Sequence, residues 1–230
     1  VTAPHRPPRP PLKAPPSVPL APPAGFTDRL AEIGVSLDDA TLAKLGDYLG
    51  RLLAMNEVMN LTAVRDAAEA WDRHLLDALT LVPLLAEVPA GGRVVDVGSG
   101  GGIPGIPLAI ACPGIRFTLV ESIKKKAGFL STVSTALGLE NVKVRAERAE
   151  QLDLRGVSDA VTARAVARLD ELAPLVLPLI RKGGAAFLIK GQRADEELAE
   201  AAPVLERLSA THEKTISTPT GRIVVLRRVG

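Results

Sequence analysis

Residues 94–105 read Val-Val-Asp-Val-Gly-Ser-Gly-Gly-Gly-Ile-Pro-Gly. An apolar run ends on an acid, and a glycine-rich turn then opens a helix. Glycine has no Cβ, so the backbone of such a turn can come close to a ligand. In an open α/β sheet, ligands lie beyond the carboxyl ends of the strands, where the strand order reverses. Two nucleoside cofactors compete for the turn. Gly100, Gly102 and Gly105 match the G-x-G-x-x-G spacing of dinucleotide-binding turns. Gly98, Gly100 and Gly102 match the G-x-G-x-G spacing of S-adenosylmethionine enzymes, with Asp96 as the acid two residues before the first glycine. A carboxylate there repels a pyrophosphate and attracts the ammonium of a methionine moiety, which favours the methyl donor. Glu121 ends the next apolar run. A carboxylate at that point can accept both ribose hydroxyls of either cofactor.

These residues need strands and helices to hold them. Arg93–Val97, Arg116–Val120, Val142–Arg145, Asp159–Ala163 and Ala185–Ile189 read as five strands. Helices are expected over Pro104–Ala111, Lys124–Leu137, Asp170–Ile180 and Ala194–Leu208, with two late strands at His212–Ile216 and Ile223–Arg227. Strands alternating with helices give a mostly parallel α/β sheet covered on both faces. Ahead of it, Ser36 is the expected N-cap of a helix bearing Leu42, Leu45, Leu49, Leu52 and Leu53 on one face, closed by Asn56 and Asn60. Asp66 and Glu69 look like a second cap pair, before Trp71, Leu75, Leu79 and Val82 at helical spacing. The expected organisation is a Pro-rich disordered tail over 1–25, a helical cap over 26–90 and a catalytic domain over 91–230.

The tail holds 10 of the 19 prolines, together with Arg6, Arg9 and Lys13 and no acid. It reads as an extended arm, passive or sampling RNA phosphates. The remaining 205 residues carry 25 basic and 26 acidic side chains, so nucleic acid would be met by a local patch. Aromatics make up 3%, too few for a platform that stacks single strands. The longest mostly apolar run, 78–88, is broken by Pro83 and falls far short of the ~20 residues of a membrane span. A single cysteine, Cys112, allows no internal disulfide and no structural zinc site, and points to the cytoplasm. No metal site is expected, and nothing demands more than a monomer.

Beyond the glycine turn, the chain resembles the bacterial 16S rRNA guanine-N7 methyltransferase family, also called glucose-inhibited division protein B. The resemblance covers about residues 36–230 and rests on Asn60-Leu61-Thr62-Ala63-Val64-Arg65-Asp66, Arg73-His74-Leu75-Leu76-Asp77, Asp96–Pro107, Thr162–Ala167 and Lys190-Gly191-Gln192. It implies a Rossmann-like, seven-stranded methyltransferase sheet whose last strand is antiparallel. It implies S-adenosyl-L-methionine as cofactor, with Gly98 and Ile103 touching it, Glu121 holding the ribose, and Ala149 and Glu150 bordering the adenine. Arg164 would lie by the cofactor and the incoming base. The implied substrate is a guanine in the decoding region (the 530 loop) of 16S rRNA, met as RNA or as a 30S particle.

The residue types agree with that chemistry. Methylating C5 of a pyrimidine needs a thiolate, and Cys112 sits at the far end of the helix after the glycine turn. Exocyclic amine enzymes carry an Asn/Asp-Pro-Pro-aromatic tetrapeptide after the fourth strand, where this chain reads Ala163-Arg164-Ala165-Val166. Guanine N7 has a free lone pair and no proton, so placement and orientation suffice. Arg164 is the candidate donor to guanine O6 or to a phosphate, or else a partner of the cofactor carboxylate. Lys124–Lys126, Arg145 with Arg148, Arg168, and Lys190 with Arg193 follow strand ends and could bind phosphates; for Lys124–Lys126 the alternative is a solvated helical turn. His74 and Trp71 read as packing residues. A methyltransferase of a protein or small molecule, a nicotinamide oxidoreductase, and a sensor of the methyl donor without turnover are the alternatives.

Overall fold

The computed structural model describes residues 16–218 and 221–230. Seven strands form one sheet in the order β3-β2-β1-β4-β5-β7-β6. They are β1 (Arg93–Val97), β2 (Arg116–Val120), β3 (Val142–Arg145), β4 (Ser158–Arg164), β5 (Ile180–Lys190), β6 (Ala210–Ser217) and β7 (Arg222–Arg228). Only β7 runs antiparallel to its neighbours β5 and β6. The order reverses between β1 and β4, which pair in parallel with Asp96 opposite Thr162.

The inner strands of the sheet are largely apolar on both sides because both sides are covered, while the edge strands β3 and β6 are polar and partly exposed. Val94, Phe117, Leu119, Ala160 and Phe187 face helices α1 (Phe26–Glu32), α2 (Asp39–Asn56), α6 (Gly105–Ala111) and α7 (Lys124–Ala136). Val95, Val97, Val161, Ala186 and Leu188 face α8 (Leu169–Val176) and α9 (Ala194–Arg207). The N-terminal helices therefore share one continuous hydrophobic cluster with the sheet.

Several local expectations shift. Asp38, not Ser36, caps α2, its carboxylate accepting from the Thr41 amide at 2.7 Å. The helix ends at Asn56, and Asn60 plays no part in closing it. Asn56 instead holds the following loop, with Oδ1 accepting from the Leu61 and Thr62 amides and Nδ2 donating to Thr62 O. Asp66 does cap the next helix, accepting from the Glu69 amide at 2.8 Å. That helix begins as α3 (Ala67–Ala70), widens into a π-helical stretch over Trp71–Leu76 and returns to α in α4 (Asp77–Leu79), before α5 (Val82–Leu85). Insertions of this kind frequently occur at functional sites, because they re-aim side chains. The expected helix 170–180 stops at Val176, since Pro178 draws the chain into a 3-10 turn and Ile180 already opens β5.

Residues 1–15 of the expected tail, with all three of its basic residues, lie outside the described residues. The remainder is not free chain. The Leu20 amide donates to Gly46 O at 3.1 Å, so the segment lies along α2. A Cβ on Gly46 would sit 2.1 Å from Leu20 O, and one on Gly50 would sit 2.2 Å from Val18 O. Among the described residues no helix is long and apolar enough to cross a membrane.

Replacing Gly46 with Ala should therefore push residues 18–20 off α2. The expected cost is about 1–3 kcal/mol, read from the urea midpoint. An unchanged midpoint would show that the close approach is not tight.

Candidate functional site

The glycine turn sits at the carboxyl end of β1, beside the reversal of strand order, where an open α/β sheet leaves a crevice. Several bonds hold it. The Gly98 and Ser99 amides donate to Val120 O at 2.9 and 3.0 Å. The buried Tyr48 hydroxyl, on α2, donates to Gly101 O at 2.9 Å. Burial pushes the Tyr48 phenol well above its ordinary range, so it stays a donor.

Asp96 lies beneath this turn with no exposed surface. The register that sets it opposite Thr162 also supplies its partner, because both side chains point to the same face: Thr162 Oγ1 donates to Asp96 Oδ1 at 2.8 Å. Asp96 Oδ2 faces the Gly105 amide at the start of α6 without an aligned hydrogen bond. A Cβ on Gly105 would stand 2.7 Å from that oxygen, so only glycine fits there. Burial raises the carboxyl to about 6, opposed by the nearby Ser99 hydroxyl, the Thr162 hydroxyl and the Gly105 amide, which favour the ionised form.

Two cavities lie at the carboxyl ends of the strands, the smaller one against the glycine turn. One, of about 220 Å³, is lined by Gly98, Glu121, Glu147, Ala149, Glu150 and Val166 among others. The other, of about 330 Å³, is lined by Arg73, Asp77, Arg164, Ala165, Lys190 and Glu197 among others. The segment after β4 separates them. Its Ala165 adopts the left-handed conformation, φ 53°, rare for a residue with a Cβ. Its Val166 packs on Gly98 so closely that a Cβ there would meet Val166 Cγ2 at 2.6 Å, while Gly98 itself takes φ 70°.

The predicted residues divide between these places. Gly98, Glu121, Ala149 and Glu150 come together on the smaller cavity. Glu121 is already engaged, its two oxygens accepting from the amides of Gly100 at 2.9 Å and Ile123 at 2.7 Å. It keeps acceptor capacity, since a carboxylate offers about four lone-pair sites. Gly100 serves the turn as that donor. Gly102 and Ile103 lie behind it, where the Gly102 amide donates to Ser99 O at 2.6 Å and Ile103 packs against the core. Arg164 lines the larger cavity, not the smaller one. Its Nη1 lies 3.3 Å from Asp77 Oδ2, an ion pair that lacks hydrogen-bond alignment.

Sequence reasoning missed Tyr48, Asp77 and Glu197. Tyr48 is the one tyrosine in the chain, placed on the apolar face of α2, which was the available signal. Asp77 stood in the Arg73–Asp77 block of the family resemblance without being given a role, while Glu197, whose neighbours are distant in sequence, gave no signal.

His74 is buried, with Nε2 2.7 Å from Thr62 Oγ1. Desolvation, aided by the Arg164 charge, lowers its pKa to about 4. Cys112 is pushed up to about 11 by burial, so it holds no thiolate for nucleophilic work. No cluster able to hold a metal ion occurs among the described residues.

The chemistry of the smaller cavity suits a nucleoside: Glu121 can take hydroxyls, and Ala149 and Glu150 border the same space. Asp96, with no exposed surface, lines neither cavity and lies beneath the turn between strand and helix.

Residues 41–224 match the family model described as rRNA small subunit methyltransferase G. Among curated relatives, the ribosomal RNA small subunit methyltransferase G of Sorangium cellulosum is 61% identical over 225 residues, covering 96% of this chain and 94% of that protein. The protein of that name in Stenotrophomonas maltophilia is 46% identical over 171 residues, 74% of this chain and 78% of its own. Among solved structures, a SAM-dependent methyltransferase from Aquifex aeolicus superposes with a TM-score of 0.56 at 17% identity, over 71% of this chain and 94% of its own. A SAM-dependent O-methyltransferase from Thermotoga maritima gives 0.53 at 16% identity, over 78% and 71%.

Two titrations in this region oppose each other. Between 3.8 and about 6, folded Asp96 holds a proton that the unfolded chain has lost, so its contribution falls as the pH rises. Between about 4 and 6.5, unfolded His74 holds a proton that the folded chain rejects, so its contribution falls as the pH drops. Asp96→Asn should raise stability at pH 7.5 by about 1–3 kcal/mol and leave the His74 acid sensitivity exposed. His74→Gln should do the reverse, giving a chain that loses stability as the pH rises through the Asp96 window. Urea midpoints at a series of pH values check both, and a lowered midpoint for Asp96→Asn at pH 7.5 would refute the first.

Proposed function

Since the chain belongs to the rRNA small subunit methyltransferase G family, we propose that its smaller cavity holds S-adenosylmethionine and its larger one receives a guanine of 16S rRNA. The chain is an S-adenosylmethionine-dependent rRNA methyltransferase of the small subunit. The atom modified is N7, and the target lies in the 530 loop of the decoding region. The observation that carries this reading is the pair of cavities divided only by the Arg164–Val166 segment, one with acids placed for a nucleoside, the other charged and open to a base.

The cofactor, once bound, supplies a methyl group on a sulfonium. Glu121 accepts from the ribose, Ala149 and Glu150 border the adenine, and Gly98, through its missing Cβ, lets Val166 close the cavity. Asp96 places its negative charge near the methionine ammonium. In the larger cavity Arg164 donates to guanine O6, leaving the N7 edge toward the cofactor side; orientation of this kind is worth about 7–11 kcal/mol of barrier. N7 bears no proton, so no residue acts as a base. That agrees with a buried His74 whose lowered pKa makes it a weak base and a Cys112 held protonated. The helices of 26–90 wall the larger cavity through Arg73 and Asp77, and the domain over 91–230 carries the cofactor site.

RNA phosphates are met by the lysines at the start of α7, of which Lys124 and Lys125 are exposed and Lys126 half-buried. Lys124, Lys125 and Lys126 occupy its first turn, where the helix dipole disfavours cations, and form no ion pair among the described residues. The substrate is RNA or an assembled 30S particle, met by a monomer in the cytoplasm.

Methyl transfer from labelled cofactor to small-subunit rRNA lacking the modification tests the reading. Label should appear as 7-methylguanosine at one site in the 530 loop. Cofactor binding with no RNA product, free or in particles, would move the substrate to another class. Changing Lys124, Lys125 and Lys126 together to Ala should flatten the salt dependence of RNA binding by about 2–3 in log–log slope, without loss of stability. An unchanged slope would make them a solvated turn.

A further inference from the structure

Helix α8 begins at Leu169 without a capping side chain of its own. Its first amide is satisfied from elsewhere: Glu197 of α9 reaches across, and its Oε2 accepts from the Leu169 N–H at 3.0 Å. The same oxygen pairs with Lys190 Nζ, at the end of β5, at 2.7 Å. Lys190 Nζ in turn donates to Ala167 O at 2.6 Å. Both side chains are shielded, Lys190 at 7% and Glu197 at 16% exposure. One ion pair thus grips a carbonyl and an amide two residues apart. Between them and β4 lies the segment that divides the cavities, with strained Ala165 and with Val166 pressed on Gly98.

We propose that Lys190 and Glu197 are positioning residues for methyl transfer: their ion pair clasps residues 167–169 and so fixes the partition between the two cavities. The proposal rests on the assignment of those cavities to cofactor and base. The segment needs such a hold for two reasons. Left-handed Ala165 persists only where surrounding structure over-determines it. The wall is also thin, so a shift of about 1 Å at Val166 would misplace the reacting atoms, a displacement that can cost about 100-fold in rate. A clasp made of two side chains from β5 and α9 ties that wall to rigid elements rather than to the loop itself.

Removing one partner would strand the other's charge in a shielded site, so the test removes both, as Lys190→Met with Glu197→Gln. Four quantities are measured on the full chain: amide hydrogen exchange over residues 165–169, affinity for S-adenosylhomocysteine, kcat and KM for RNA methylation, and Tm. Exchange should rise about tenfold or more over that segment alone. The kcat should fall about 30-fold or more, with S-adenosylhomocysteine affinity within about threefold of the original. Lys190→Arg alone, which keeps charge and donors, should recover most of both. Unchanged exchange overturns the clasp. So does a parallel loss of kcat, cofactor affinity and Tm, which would mark a merely structural pair. If the unaltered protein forms no 7-methylguanosine, the functional reading falls, and the exchange result still decides the clasp.

Discussion

A carboxylate with no exposed surface is costly to keep, and the arrangement around Asp96 follows from keeping one. Its Oδ1 is met by Thr162 because β1 and β4 pair in a register that sets the two residues opposite each other. Its Oδ2 is approached by the start of α6, which only a glycine at 105 allows. The turn above it is tied to β2 by the Gly98 and Ser99 amides, to Glu121 by the Gly100 amide, and to α2 by Tyr48. Sheet order, helix start and N-terminal helices all converge on one buried charge. A group held near 6 by burial is poised to respond to a cation placed beside it.

The second organising feature is the thin wall after β4. On one side are the acids and small residues of the cavity proposed for the nucleoside, on the other the Arg164–Asp77 pair. Transferring a carbon between two bound molecules demands alignment more than acid–base chemistry, and a narrow, fixed partition provides alignment. Cys112 is held protonated, and burial against Thr62 with a pKa lowered to about 4 leaves His74 a weak base.

The strand positions of the sheet were legible because buried parallel strands are short apolar runs between turn residues; β1, β2 and β3 fall on Arg93–Val97, Arg116–Val120 and Val142–Arg145 as expected. The glycine turn was legible because its spacing is a backbone requirement written directly in residue type. Glu121 follows from where a strand ends, whereas Ala149 and Glu150 came only from the family resemblance; the structure brings all three to one cavity. Other features were hidden. The π-helical stretch that aims Arg73 and Asp77 leaves no periodicity signal different from that of an ordinary helix. The docking of residues 18–20 on α2 is specified by Gly46 and Gly50, which read in sequence only as weak helix formers. The clasp of Lys190 and Glu197 depends on β5 and α9 meeting α8, a tertiary fact. Arg164 was placed by motif at the correct strand end, and it faces the larger cavity because it shares a side of β4 with Ala160 and Thr162, a direction that matters only once the N-terminal helices are placed there.

The most direct measurement is the titration of the Asp96 carboxyl, followed by carbon-13 NMR, in the free protein and with S-adenosylhomocysteine bound. The free carboxyl should titrate near 6. Binding should bring an ammonium to its vicinity and lower that value by about 1–3 units. A value that stays near 6 in the complex would contradict the role of Asp96 as the buried charge that receives the cofactor.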